Sequence, residues 1–443
     1  MIMKTSAPLN KFVLLGVILF ITNVCGLAIA SMGTKAVIGL LLLLLLIVVA
    51  KYPELGLLYF SVGFDSFSYV GALLNIPLGI RSFVFAGGLI YILCIFIFIR
   101  RKNLACLVDK TLIAAVFLGV IYAVSALLHQ YSGYGIYRSK GYLLFNLFAM
   151  GAAILFSKEP LAQRRMIYAA AFGCLISNIS LFFMIKMSGS IEFGRFVTAY
   201  SNPIWLSRTI GVLIFANIAV FAVYKNKWLR LCLFVSSVIG IYFMLMTGSR
   251  GPIISFIFVL IIFFLTSYKI GFKKKIFAIA CTIACFSIVS QFIQDETIMY
   301  RYASLVLVEY ESYDYGSTQT RQRMFRDAVE QFFRHPVIGE GAGTSYPHNL
   351  TLEIAGELGS VGLLIFLYFI ITSAKIAASL LPKNILVIRK EEMFKTWAVM
   401  CFLFGFLNSC VSGTIVTNFF VWFAAGCLIA ARNTPTIMKR MPA

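Results

Sequence analysis

The chain has 443 residues, 60% of them hydrophobic and only 12% charged, with a formal net charge of +21. This composition excludes an ordinary soluble domain, because apolar runs of about 20 residues recur along it and each can cross a hydrocarbon layer. Nor does the basic excess imply nucleic acid as a partner: Lys and Arg sit in short clusters between the runs, as the bias toward positive cytoplasmic loops dictates.

The first run, 12–31, follows Lys4 and Lys11, with no small-residue cleavage site leading into a soluble domain, and reads as an uncleaved first span. Further spans are predicted at 36–50, 53–70, 82–99, 111–129, 141–157, 166–185, 204–224, 229–247, 251–268, 276–292, 355–381, 396–411 and 413–431. The third contains Asp65 and several small residues and could be re-entrant. The last two are separated by almost nothing and could form a helical hairpin. Nine of the ten cysteines (Cys25, Cys94, Cys174, Cys232, Cys281, Cys285, Cys401, Cys410 and Cys427) lie within or at the ends of apolar runs without metal-ligand spacing, and read as small packing residues. The expected fold is all-α: a polytopic integral membrane protein of about 12–14 transmembrane helices. No internal repeat and no Pro- or Ser-rich linker divides it, so residues 1–443 read as one membrane domain.

Threading the spans alternately puts Lys51, Arg100 to Lys102, Lys158 with Arg164 and Arg165, Lys225 to Arg230, Lys269 to Lys275, Lys383 to Lys395 and Arg432 to Arg440 on one side. That side is expected to be the cytoplasm, with both termini on it. The opposite side, the periplasm of a bacterium, receives Arg81, Arg138, Arg195, Arg250 and the segment 293–350. The spans themselves are read as nearly free of buried charge.

Segment 293–350 is the one long polar stretch and holds eight of the 17 acidic residues, so chemistry is expected there. From Thr320 to His335, Met324, Phe325, Ala328, Val329, Phe332 and Phe333 recur at spacings of three and four, which predicts an amphipathic surface helix with Arg321, Arg323, Arg326 and Arg334 on its polar positions. Pro336 ends it, and Gly339, Gly341 and Gly343 predict a flexible turn into Pro347-His348 at the start of the next apolar helix.

His348 is expected at a helix N-terminus, where the dipole disfavours an imidazolium, so a neutral ring could take a proton near pH 7. The plainer alternative is an interfacial histidine satisfied by loop carbonyls, and His335 and His129 have still less to recommend them. Arg250 lies in a tight break between two apolar helices, where its fork could grip phosphate oxygens or simply anchor the helix end. Arg195, just before a span started by Pro203, could help hold a diphosphate or serve as a flanking anchor. Glu353 and Glu357 are one turn apart in the helix after His348, but spacing singles out no catalytic carboxylate pair. Asp and His do not recur at metal-ligand spacing and no nucleotide-binding glycine motif occurs, so no metal and no cofactor is expected.

Thr247-Gly-Ser-Arg-Gly-Pro252, Thr320-Arg321, His335-Pro-Val-Ile-Gly-Glu-Gly341 and Pro347-His-Asn-Leu-Thr-Leu-Glu-Ile-Ala-Gly-Glu-Leu-Gly359, in that order, resemble the O-antigen ligase and polymerase superfamily of bacterial membrane glycosyltransferases. The resemblance covers roughly 190–380; the first third of the chain is similar only in being apolar. It implies a GT-C-like helical fold and a donor glycan carried on undecaprenyl diphosphate. For a ligase, it implies transfer to a lipid A-core acceptor at the periplasmic face of the inner membrane, without metal or nucleotide sugar. The family's two essential arginines would fall on Arg250 and Arg321 and its histidine on His348. A polymerase would instead extend a growing glycan acceptor. Polymerases often carry two large outward loops with an arginine followed eleven positions later by glycine; this chain has one large loop and no such pair, which leans toward a ligase. A lipid-linked oligosaccharide flippase or other transporter would also be basic and polytopic, but inverted repeats and charge inside mid-chain helices are expected of one.

Overall fold

The computed structural model describes residues 34–59, 80–100, 107–129, 133–187, 190–192, 195–197, 202–266, 271–293, 295–303, 315–382 and 388–434. The expected span at 12–31, Asp65 and most of the expected span at 53–70 lie outside them. In hydrocarbon a backbone has to satisfy its own hydrogen bonds, and these apolar runs do so as helices. In chain order they are α1 (Thr34–Lys51), α2 (Pro53–Leu58), α3 (Ile80–Arg100), α4 (Lys110–Leu128) and α5 (Gly133–Gly141), which runs through a π-helical stretch (Tyr142–Leu147) into α6 (Phe148–Phe156). Then come α7 (Pro160–Met187), the short antiparallel strands β1 (Ser190–Glu192) and β2 (Arg195–Val197), α8 (Pro203–Val223), α9 (Lys227–Met246) and α10 (Arg250–Thr266). The chain ends with α11 (Phe272–Ser290), α12 (Glu296–Ala303), α13 (Tyr315–Arg334), α14 (Leu350–Leu380), α15 (Met393–Ser409) and α16 (Phe419–Asn433).

Among the described residues six helices are long and apolar enough to cross a membrane, and five shorter apolar ones accompany them. Side-chain caps mark several starts: Asp109 accepts from Thr111 N, Asn226 from Trp228 N and Leu229 N, and Asn202 from Ile204 N ahead of Pro203. The core is aromatic. Phe215 stacks on Phe256 at 4.7 Å with Phe404 edge-on to Phe215 at 5.4 Å, and Trp422 stacks on Phe369 at 4.5 Å while meeting Tyr142 edge-on at 4.9 Å. Cys94, Cys174, Cys401 and Cys427 are buried in this packing, as the sequence predicts, but Cys232 and Cys281 are exposed on the outside of the bundle and do not pack in its core.

Contacts between distant segments define two ends of the bundle. At one end, Arg165 pairs with Glu54 at 2.5 Å, Arg432 pairs with Asp109, and Gln163 bonds Thr434 at 2.7 Å. At the other, Ala342 N bonds Ser125 Oγ at 3.1 Å, Arg138 bonds Ser345 O at 2.8 Å, Asn349 bonds Cys410 O at 2.9 Å and Arg208 bonds Ser412 O at 3.1 Å.

Three expectations are corrected here. The helix expected at 141–157 begins at Gly133, which carries Arg138 into it and leaves it 1% exposed. Arg138, Arg208, Glu353 and Glu357 are all buried within helices, so the spans are not free of charge. Arg138, Arg208 and Glu353 lie in the first two turns of their helices and Glu357 at the start of the third, all at the same end of the bundle. The glycine turn, finally, is not a flexible one. Gly339, Gly341 and Gly343 have φ of +74, +118 and +86, and a Cβ on Gly343 would lie 2.6 Å from Gly135 Cα.

That turn completes a break in α14. Gly359 sits at φ +63, ψ −158, and the helix loses its own ladder there. The strap from Pro336 to Gly341 takes over: Ser360 N bonds Pro336 O at 2.8 Å, Val361 N bonds Val337 O at 3.2 Å, Glu340 N bonds Gly356 O at 2.9 Å and Gly341 N bonds Glu357 O at 3.1 Å. The strap therefore fixes where α13 lies against α14 and where the chain re-emerges toward His348.

Candidate active site

A cavity of about 480 Å³ opens at the end of the bundle opposite Lys51, Arg165 and Arg432. Three segments build its polar wall. Helix α8 supplies Asn202, Trp205 and Arg208; α13 supplies Thr320, Arg321 and Met324 on one face; and the approach to α14 supplies Tyr346 and His348. The connection between α15 and α16 adds Ser412, Gly413 and Thr417. The hairpin expected at the C-terminus is thus present, but nine residues, 410–418, join its helices, and these three of them line the cavity.

Arg208 is 2% exposed and donates from Nη2 to the carbonyls of Asn408 at 3.3 Å and Ser412 at 3.1 Å, while its buried Nε has no partner. Among the described residues no carboxylate pairs with it or with Arg321. Burial disfavours the charged guanidinium of Arg321, with Tyr346 partly offsetting the effect. Two half-satisfied cations around one opening make a site that an anion with several oxygens would complete.

His348 is the one non-glycine residue with positive φ among the described residues, at +54. Its place differs from the expected one. Asn349 is the N-cap of α14 and takes the N–H groups of Thr351 and Leu352 itself, so His348 stands one residue outside the helix and does not face its free amides. The ring is kept neutral for other reasons: burial, and then the Arg321 charge, lower its pKa below the ordinary histidine value. Tyr346 packs against it with ring centroids 4.2 Å apart, and the buried Nδ1 has no hydrogen-bond partner. A histidine in a strained backbone conformation, neutral and incompletely bonded, is suited to accept a proton.

The structure therefore brings Arg321 and His348 together. Arg250 begins α10 and is not among the residues lining the cavity; the adjoining Gly251 lies behind it, its Cβ position 3.0 Å from Val411. Backbone pairing of Arg195 with Glu192 places it on the hairpin before α8. His335 is exposed at the end of α13, and His129 is held by Ser125 O at 3.1 Å beneath Gly341. Glu353 and Glu357 face Arg138 and do not line the cavity. Sequence reasoning missed Arg208, Tyr346 and the 410–418 turn. An arginine within an apolar run, two turns after a Pro start, was the signal available for Arg208.

Fold and cavity define a polytopic helical membrane protein with an arginine- and histidine-lined site at one end. Residues 235–367, from α9 to the middle of α14, match the family model described as O-antigen ligase, which supports placing the chain in the O-antigen ligase and polymerase superfamily. The matched stretch contains Arg250, Arg321 and His348 but not Arg208 or the 410–418 turn. No curated protein matches the chain.

Proposed function

We propose that this protein is a glycosyltransferase of the ligase type, moving a glycan from undecaprenyl diphosphate to a lipid A-core acceptor, without a metal, at the periplasmic face of the bacterial inner membrane. The carrying observation is the pair Arg208 and Arg321, matched by no carboxylate among the described residues, around the cavity that also holds His348. The end of the bundle rich in Lys and Arg would lie in the cytoplasm, which turns the cavity outward.

In this reading the acceptor hydroxyl gives its proton to His348 as its oxygen attacks the anomeric carbon. The bond from that carbon to the phosphate oxygen breaks, and the lipid diphosphate leaves with the electron pair. Arg208 and Arg321 neutralise the charge that builds on the diphosphate, stabilising the transition state more than the ground state. Arg250, which stands outside the cavity lining, and Arg195 are assigned a longer-range share in neutralising the same diphosphate. A polymerase would use the same donor half and differ in acceptor. The buried charges within the helices do not favour a transporter, because they sit at the two ends of the bundle, Glu54 at one and Arg138, Arg208, Glu353 and Glu357 at the other, and form no path through it.

Deleting the gene and analysing the lipopolysaccharide tests this. Loss of all long chains from the core with lipid-linked polymer accumulating is the expected result. A core carrying a single repeat would mean a polymerase, and an unchanged lipopolysaccharide would overturn both readings.

A further inference from the structure

Behind the cavity, touching its lining only where Arg138 lies over the Tyr346 ring at 5.6 Å, is a buried group that the chemistry above does not use. Arg138 Nη1 lies 2.7 Å from Glu357 Oε1 and 3.1 Å from Glu353 Oε1, with all three side chains at most 1% exposed. Each member also holds a piece of loop backbone. Arg138 donates to Ser345 O at 2.8 Å, and Glu357 Oε1 accepts from Ser345 N at 3.1 Å, so both backbone groups of Ser345 are gripped by the same ion pair. Glu357 Oε2 accepts from Tyr122 Oη of α4 at 2.6 Å. Glu353 accepts from Ile415 N at 3.2 Å, in the turn that lines the other side of the cavity, where Asn146 also bonds Ile415 O at 2.5 Å.

We infer that Arg138, Glu357 and Glu353 form a latch whose role is to position the two cavity loops, Ser345 to His348 and Ser412 to Thr417, relative to each other. The inference rests on the cavity being the active site, as proposed above. A latch of this kind is not needed for stability alone: a buried ion pair is often no better than apolar packing of the same volume, and its value lies in specifying one arrangement. Ser345 precedes Tyr346, whose ring packs at a tilt against His348, so a shift at Ser345 is transmitted to the ring through one residue.

Hydrogen bonding makes the latch asymmetric. Glu357 accepts from Arg138, Ser345 and Tyr122 at 2.6–3.1 Å, whereas Glu353 accepts from Arg138 and Ile415 at 3.1–3.3 Å, so Glu357 is the centre of the latch. Glu353→Gln should then be mild and Glu357→Gln severe.

The full chain in lipid nanodiscs tests this by amide hydrogen exchange over residues 341–348 and by transfer kinetics. Glu357→Gln is expected to raise exchange in that segment about tenfold or more, while segments in α15 and α16 keep their protection. It should also lower kcat by about tenfold with KM for the donor within about threefold, because the site is misaligned and not emptied. Glu353→Gln should change both by less than about threefold. If Glu357→Gln fails to fold, Tyr122→Phe removes one of its hydrogen bonds without loss of volume and should raise exchange in 341–348 by a smaller factor. Unchanged exchange in Glu357→Gln, or in Tyr122→Phe where that variant is used instead, overturns the latch. Exchange needs no substrate, so a wild type that transfers no glycan would sink the functional reading while leaving the latch to be decided by exchange alone.

Discussion

Arg208 and Arg321 reach one cavity from α8 and α13, and among the described residues no carboxylate neutralises either. Arg208 is anchored by two carbonyls from the α15 end and its following turn, which leaves the rest of its fork available. An arginine kept charged and incompletely bonded in an apolar bundle is costly, and an anionic ligand relieves that cost.

Replacing either residue should therefore impair the chemical step. Arg208→Gln and Arg321→Gln are each expected to lower the transfer rate about a hundredfold, the usual effect of removing one donor aimed at developing charge. The double variant should lose less than the product of the two, since both act on one group. Transfer of labelled glycan from a purified lipid-linked donor measures this.

Arg250 offers a comparison within the same protein. It lies outside the cavity lining, so Arg250→Lys, which keeps the charge but not the fork, should cost less activity than Arg208→Lys, measured at equal membrane expression. Equal losses would bring Arg250 into direct contact with the donor.

The neutrality of His348 sets the pH dependence. Burial and the Arg321 charge lower its pKa, so the base form is populated below the ordinary histidine value of about 6.5. Activity should rise with pH through that lowered pKa and be flat at neutrality. In Arg321→Gln the repulsion is gone and the acidic limb should move upward. The chain has three histidines, so the shift can be read by NMR of carbon-labelled imidazoles without relying on turnover. His348→Ala should abolish the acidic limb together with most of the activity.

The glycine break is a stability test. A Cβ on Gly359 would lie 2.5 Å from Val337 C and O, and one on Gly339 would lie 2.3 Å from Glu357 C and O, both at positive φ. Gly359→Ala and Gly339→Ala are each expected to lose at least about 1–3 kcal/mol from backbone strain alone, visible as a lowered unfolding midpoint in detergent. An alanine elsewhere in α14, at Ser360, should change it by less than about 0.5 kcal/mol.

What the sequence by itself determined was local. Apolar runs of membrane length become helices because hydrocarbon allows little else, and the spacing of Met324, Phe325, Ala328 and Phe332 produces α13. His348 was marked by Pro347 and the glycine turn before it, but Arg321 was set apart from its neighbouring arginines only by the resemblance, since α13 begins at Tyr315 and not at the expected Thr320. The tertiary structure alone decided the partners. Arg208 meets Ser412 across 204 residues and Arg138 meets Glu357 across 219, and nothing in an apolar run states which distant carbonyl or carboxylate will face a given arginine. The helix N-terminus misled for the same reason. Only the closed turn, in which Asn349 caps α14 and donates to Cys410 O, set His348 outside the helix, and burial with the Arg321 charge lowered its pKa.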